Sequence, residues 1–423
     1  MDVCIIPAYR VSKYTRPELR FFSQYPGKLE IAIEKNGVRK KRQEFKIDVK
    51  EEYQKIELEP FEEAGLFDIY LNFTNEQGSV EEKRMEYQVI DSGVTSTTVI
   101  DGLWISIYHW SEFEGQLFNA ELRNLSDEDW KKQIYDMNEV GIKGVLIQNV
   151  FICNEYVNQH SMTIESYKGK SFYPSKLYQE RMNIKAQNPI SAILEAASEC
   201  NMHVFLGVGH YAWFDFSRDS LEWHKNVTKE LFDLYGKYDS FYGWYVSEEI
   251  MGDFYYSYPL VPDEDYAQVV TFFKEYKEFV RNLTPTKPIA FAPNNIKFEV
   301  YEKEWKQVLP NIDILLPFAF ARDPEHTNIL EIKRICDECD THLWVDMEVF
   351  KFPFEHGLMP KNGKELIKEI RSYDEVEQIF GYQYTGLMNH PENDICIGRN
   401  DTKELYIDYR KYYHSVIKKE CFE

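Results

Sequence analysis

The stretch FYGWYVSEE, residues 241–249, sets the reading of this chain. It opens on an apolar run and closes on two carboxylates. Side chains alternate sides along a strand, so Trp244 and Val246 share one face, suited to packing beneath helices. Gly243, Tyr245, Ser247 and Glu249 share the other, which ends in a carboxylate. Glu248 has the first parity unless a bulge shifts the register. LWVDMEVF, residues 343–350, has the same design. Leu343, Val345, Met347 and Val349 form an apolar face, and Trp344, Asp346 and Glu348 the opposite one.

Outward from these stretches, the chain beyond about residue 97 alternates strand-like runs with amphipathic helical stretches, the βα pattern of a parallel sheet. The runs are 99–108, 144–151, 203–209, 241–249, 288–293, 312–318, 343–348 and 378–384. Helices are expected to start near Ser126, Pro189, Leu221, Asp263, Glu302, Thr327, Gly363 and Thr402. Ser126 and Asp129 have capping-box spacing, and Pro360 to Gly363 reads as a helix-entry turn. Eight such units predict a closed (β/α)8 TIM barrel better than an open sheet. Neither GxGxxG nor GxxxxGK[ST] follows any of these strands, so dinucleotide and P-loop chemistry have no support.

Residues 1–95 read as all-β. Alternation runs through 28–36, 53–58, 65–73 and 80–90, and Asn36-Gly37 is a type I′ hairpin signal leading into 38–49. We expect an Ig-like β-sandwich accessory domain over 1–95 and a catalytic barrel over 96–423. The exposed-face positions of the first part are mostly Lys and Glu, which favours a packing role over sugar binding.

The formal net charge of −22 disfavours nucleic acid and anionic membrane surfaces as partners. Aromatics make up 16% of the chain, a large share; a core rich in Phe and Tyr accounts for most of them, and flat rings also suit the apolar faces of sugars. The seven cysteines are odd in number and scattered, which argues against a disulfide framework. Cys336 and Cys339 form a CxxC within a predicted helix, with no second pair to complete a metal site. We expect no metal and no cofactor. The start MDVCIIPAYR lacks a signal-peptide pattern, and no apolar stretch reaches transmembrane length. If Met1 is the native start, the expected location is the cytoplasm. A homo-oligomer is compatible with the sequence.

Barrel chemistry sits at the C-terminal ends of the strands, where Glu249 and Glu348 end the inward faces and Glu248 stands beside the first. The expected binding shell is Trp110, Asn149, His210, Trp213, Tyr245, Asn294, Trp344 and Tyr384, neutral and aromatic groups that suit an uncharged sugar. The long segment 154–188, rich in Tyr, Ser, His and Lys, is expected to wall the cleft, as is the aromatic loop 254–262.

A strand-four GWYxxxE ending paired with a strand-seven Glu resembles the clan A glycoside hydrolases. It also resembles the related glycosidase-like barrels of gut bacteria known only as domains of unknown function. The likeness covers about residues 97–416. In clan A an Asn usually precedes the strand-four Glu, whereas Glu248 stands there in this chain. The resemblance implies Glu249 as general acid/base, Glu348 as nucleophile, a carbohydrate substrate and a retaining mechanism. Two other readings stay open. One is a metal-dependent barrel isomerase or hydrolase using His109, His210, Asp346 and Glu348. The other is a sugar-binding barrel without catalysis.

Overall fold

The computed structural model describes residues 1–49, 53–254, 264–322, 328–353, 355 and 357–422. Its main sheet is a parallel barrel. Strands one to four are Gly102–Ile105, Gly144–Ile147, His203–Gly207 and Phe241–Val246. Strands five and six are Ile289–Phe291 and Ile314–Leu315. Strand seven comes in two pieces: His342–Leu343 pairs with strand six, and Val345–Glu348 pairs with strand eight, Ile379–Tyr382. Trp344 joins them, donating its amide to the Leu315 carbonyl at 2.9 Å. Strand eight returns to strand one, and the ring closes.

Among the described residues, helices follow the strands in the predicted order, from Asp127–Glu139 to Asp401–Phe422. Ser126 forms the expected capping box: its side chain accepts from the Asp129 amide, and Asp129 accepts from the Ser126 amide at 2.7 Å. Asn362 and Glu365 make the same reciprocal cap at Gly363–Ile370. Cys336 and Cys339 lie in and at the end of helix Ile329–Glu338 as free thiols. A short helix, Asn119–Asn124, has no counterpart in the sequence reading. The expected helix starts at Asp263 and Thr327, and residues 255–262 of the aromatic loop, lie outside the described residues.

Alternation decides the register. Trp244, Val246, Leu343, Val345 and Met347 are buried between barrel and helices. Each contributes about 1.5–3 kcal/mol by burial, so a one-residue slip, which turns every side chain to the other face, is strongly disfavoured. Phe205, Tyr242, Ala290, Ile314, Trp344 and Phe380 fill the barrel interior. Cys4 and Ile6 join that interior, and the Tyr242 hydroxyl donates to the Ile5 carbonyl at 2.7 Å.

The N-terminal part forms a five-stranded and a three-stranded sheet around one core that includes Leu19, Phe21, Leu29, Ile31, Ile69 and Leu71. Asn36 and Gly37 both have positive φ, 52° and 73°, as a type I′ turn requires. Strands Asp2–Ile6 and Arg10–Ser12 are buried almost throughout and are too short to show a clear alternation, whereas Glu18–Phe22 alternates, with Leu19 and Phe21 in the core and Glu18 and Arg20 in buried ion pairs. Buried ions tie the two parts together. Asp313 binds Arg20 at 2.9 Å and Arg281 at 2.6 Å. His342 lies 3.3 Å from Glu18 and 2.8 Å from Glu377. Among the described residues, no helix is long and apolar enough to cross a membrane.

Candidate active site

A cleft of about 340 Å³ opens where the barrel strands end, and every described residue lining it lies between Trp104 and Tyr382 in the chain. Tyr245 reaches it from strand four and Ser247 and Glu249 from just past that strand's end at Val246, while Asp346 and Glu348 reach it from strand seven. A register shift between strands three and four at Val204/Phe205 turns Tyr242 into the barrel against the alternation; beyond it the pairing of strands four and five runs unshifted from Trp244↔Ile289 through Val246↔Phe291. Ser247 fixes the end of strand four: its hydroxyl accepts from the Gly209 amide at 2.9 Å and donates to the Gln148 carbonyl at 2.7 Å.

Six of the residues singled out from sequence line this cleft together: Glu249, Glu348, Trp110, His210, Trp213 and Tyr245. His210 donates from Nε2 to the Ser247 carbonyl at 2.9 Å, and burial pushes its pKa down to about 4, leaving a neutral ring. That ring stacks on Trp213 at 4.4 Å. Trp213 is held by its indole N–H on the Cys153 carbonyl at 2.9 Å.

The structure takes the other five elsewhere. Glu248 has the opposite parity and is fully buried behind the strand, where it accepts from the Phe214 amide at 3.1 Å. Burial and the neighbouring Asp215 charge raise its pKa well above the usual carboxylate range, against the pull of the Tyr211, Phe214 and Asp215 amides. Asn149 donates to the Phe151 carbonyl at 2.9 Å, while its neighbour Gln148 reaches the cleft. Asn294 accepts from the Ile296 amide at 3.0 Å and so turns onto its own loop. Trp344 stacks on Phe380 at 5.2 Å inside the barrel and donates to Glu377 at 3.2 Å. Tyr384 is buried in the outer core, and Tyr382 lines the cleft instead.

Several cleft residues escaped the sequence reading. Glu114 comes from the loop after strand one and Arg322 from the loop after strand six. Phe318, Phe350 and Phe352 add apolar wall, and Tyr156 is the contribution of the long segment to this cleft. Tyr382 was accessible by parity with Phe380. Arg322 had no sequence signal, being one of 49 basic residues.

The electrostatics separate the two strand-end carboxyls. Burial lifts the Glu249 carboxyl to about 7, with Arg322 pulling it down and Glu114 adding to the rise. Glu348 instead pairs with Arg322, whose Nη2 and Nε lie 2.5 and 2.7 Å from Oε1. The guanidinium packs over the rings of Phe352 at 5.4 Å and Phe318 at 5.9 Å. Burial and then the Glu348 charge raise Asp346 well above its usual range. Burial also raises Glu114, opposed by Arg322. Among the described residues lining the cleft, four carboxyls (Glu114, Glu249, Asp346, Glu348) face a single Arg or Lys. No group of three or more His, Cys, Asp or Glu among the described residues is placed to hold a metal ion.

A closed eight-stranded α/β barrel, fronted by all-β sheets and carrying paired acidic groups at its strand ends, is the class of protein that fold and cleft define. Residues 100–395 match the family described as Domain of unknown function (DUF4434), and the chain belongs to it. No curated protein matches the chain.

Among solved structures, one from Bacteroides thetaiotaomicron VPI-5482 is described as a "putative alpha-L-fucosidase". It is 18% identical, with a TM-score of 0.53 over 75% of this chain and 95% of the other. A family 39 glycoside hydrolase from Bacteroides cellulosilyticus WH2 is 11% identical, with a TM-score of 0.44 over 99% of this chain and 83% of the other. A beta-glucuronidase from Parabacteroides merdae is 9% identical, with a TM-score of 0.42 over 94% of this chain. The chain spans about half, 49%, of that protein's length. At these identities the likeness to the first speaks for the fold.

Proposed function

We propose that this protein is a glycoside hydrolase acting on neutral sugars, with Glu249 as general acid/base and Glu348 as nucleophile. One observation carries the reading: Glu348, at the end of strand seven, and Glu249, three residues past the end of strand four, line one aromatic cleft in unlike electrostatic settings. Breaking a glycosidic bond needs a proton for the leaving oxygen and an anionic group facing the oxocarbenium-like centre. A carboxyl raised to about 7 can hold that proton near neutral pH and take it back from water in the second step. Glu348, paired with a guanidinium, offers its carboxylate to the anomeric carbon. A retaining course follows from the clan A resemblance. It would pass through a glycosyl–enzyme ester on Glu348, released by water that Glu249 deprotonates.

The charge balance supports neutral substrates. An anion held ~5 Å from one ionised carboxylate costs about 3 kcal/mol at an effective dielectric constant of ~20. The cleft answers its four carboxyls with one guanidinium among the described lining. Trp110, Trp213 and Tyr245 supply faces for the apolar side of a sugar ring. Residues 1–95 act, in this reading, as a packing unit on the barrel.

The test is hydrolysis of aryl α- and β-glycosides of neutral sugars. Glu249→Gln and Glu348→Gln should each lower kcat by roughly 10²–10⁴-fold or more. Azide should restore turnover of Glu348→Ala and yield a glycosyl azide. Full activity in either Gln variant would sink the assignment.

A further inference from the structure

Trp110 does not only line the cleft. It also borders a second cavity of about 330 Å³, whose other walls include Tyr108, Asn154, Glu155, Lys168, Lys170 and Met182. The two cavities, of similar size, therefore share Trp110 as a wall. Trp110 is 37% exposed. His109 stacks on it at 5.3 Å and Trp213 packs against it, tilted, at 5.6 Å, so the ring is braced by two neighbours.

The second cavity has the makings of a binding site and not of a reaction centre. Its carboxylates are taken up by cations: Glu155 by Lys168 at 3.0 Å, and Glu112 by Arg123 at 3.1 Å. The Tyr108 hydroxyl joins the Glu112–Arg123 pair. Hydroxyl, amide, ammonium and carboxylate groups around an aromatic platform match the alternating donors, acceptors and C–H faces of a sugar ring. Half of its wall comes from the long segment 154–188, and that segment is tied down. Residues 151–152 pair with 170–171, Tyr167 donates to the His210 carbonyl at 2.7 Å, and Tyr173 donates to Glu230 at 2.6 Å. The wall is thus fixed before a ligand arrives, which lowers the ordering cost of binding.

From this we infer that the substrate is a chain of sugar rings that runs from the cleft across Trp110 into the second cavity, so that the protein is specific for oligosaccharides over simple glycosides. The inference rests on the glycosidase reading. Its chemistry is the same in both cavities, but bond cleavage belongs to the first alone.

The test compares kcat/KM for aryl mono-, di- and trisaccharide glycosides of whichever neutral sugar is turned over. Wild-type protein should gain at least roughly tenfold on extension, the size of effect one well-placed group produces. Met182→Trp, which fills the second cavity, and Lys168→Ala, which opens its polar wall, should each remove most of that gain. Using both guards against one variant misfolding, which a matching far-UV circular dichroism spectrum also checks. Turnover of the monosaccharide glycosides with no gain on extension, or a gain that survives both variants, overturns the inference and leaves the glycosidase reading standing. No turnover of any glycoside overturns the glycosidase reading and this inference with it.

Discussion

Arg322 addresses a single oxygen of Glu348, with Nη2 at 2.5 Å and Nε at 2.7 Å from Oε1. The same guanidinium lowers the pKa of Glu249. One cation therefore acts on both strand-end carboxyls, and its removal should be legible in the pH profile.

A general acid works while protonated, so kcat/KM should fall as pH rises through about 7, the value to which burial lifts Glu249. Arg322→Met removes the downward pull and should move this alkaline limb to higher pH. Glu114→Gln removes an upward push and should move it lower. Opposite displacements in the two variants are expected, and equal ones would show that the limb belongs to another group.

Glu248 and Glu249 should separate cleanly. Glu248→Gln keeps a buried acceptor for the Phe214 amide and should keep kcat within about tenfold, whereas Glu249→Gln should lose roughly 10²–10⁴-fold. Glu248→Ala strands that amide and should cost about 1–3 kcal/mol in urea unfolding. A kcat loss in Glu248→Gln as deep as that in Glu249→Gln would reverse the assignment.

His342 should make stability fall with alkaline pH. Burial pulls its pKa down, but the carboxylates of Glu377 and Glu18 outweigh this and carry it up from 6.5 to about 9. A raised folded-state pKa contributes stability that is complete below about 6.5 and is lost as pH rises through 9. The contribution is on the order of 3 kcal/mol. His342→Gln should flatten denaturation midpoints across this window, and an unchanged slope would remove His342 as its source.

Asp313 should be among the costliest single losses. Asp313→Ala leaves Arg20 and Arg281 buried without their shared carboxylate and should destabilise by about 3–5 kcal/mol. Since Arg20 belongs to the N-terminal sheets and Arg281 to a barrel helix, limited proteolysis should detect looser docking. A loss below about 1 kcal/mol would show that the pair is not the tie described above.

The sequence by itself determined the barrel, because a period of two in the strands and of about 3.6 in the helices is written directly in the order of apolar residues. The same alternation put Glu249 and Glu348 at the ends of inward faces, and the structure has both in one cleft. The strands Asp2–Ile6 and Arg10–Ser12, short and buried on both faces, carry too little alternation to be read, and the five residues Glu18–Phe22 alternate over too short a stretch to stand out. Past a strand end, parity also stops governing direction. Asn149 and Asn294 turn to satisfy their own loops, and Tyr384 goes into the outer core.

Tyr156 comes from the segment 154–188 expected to wall the cleft, whereas only the tertiary structure brought Glu114 and Arg322 there, from loops far apart in the chain. It alone set the Glu249 carboxyl near 7 and Arg322 on Glu348, since burial and charge proximity are properties of the folded chain and not of neighbours along it.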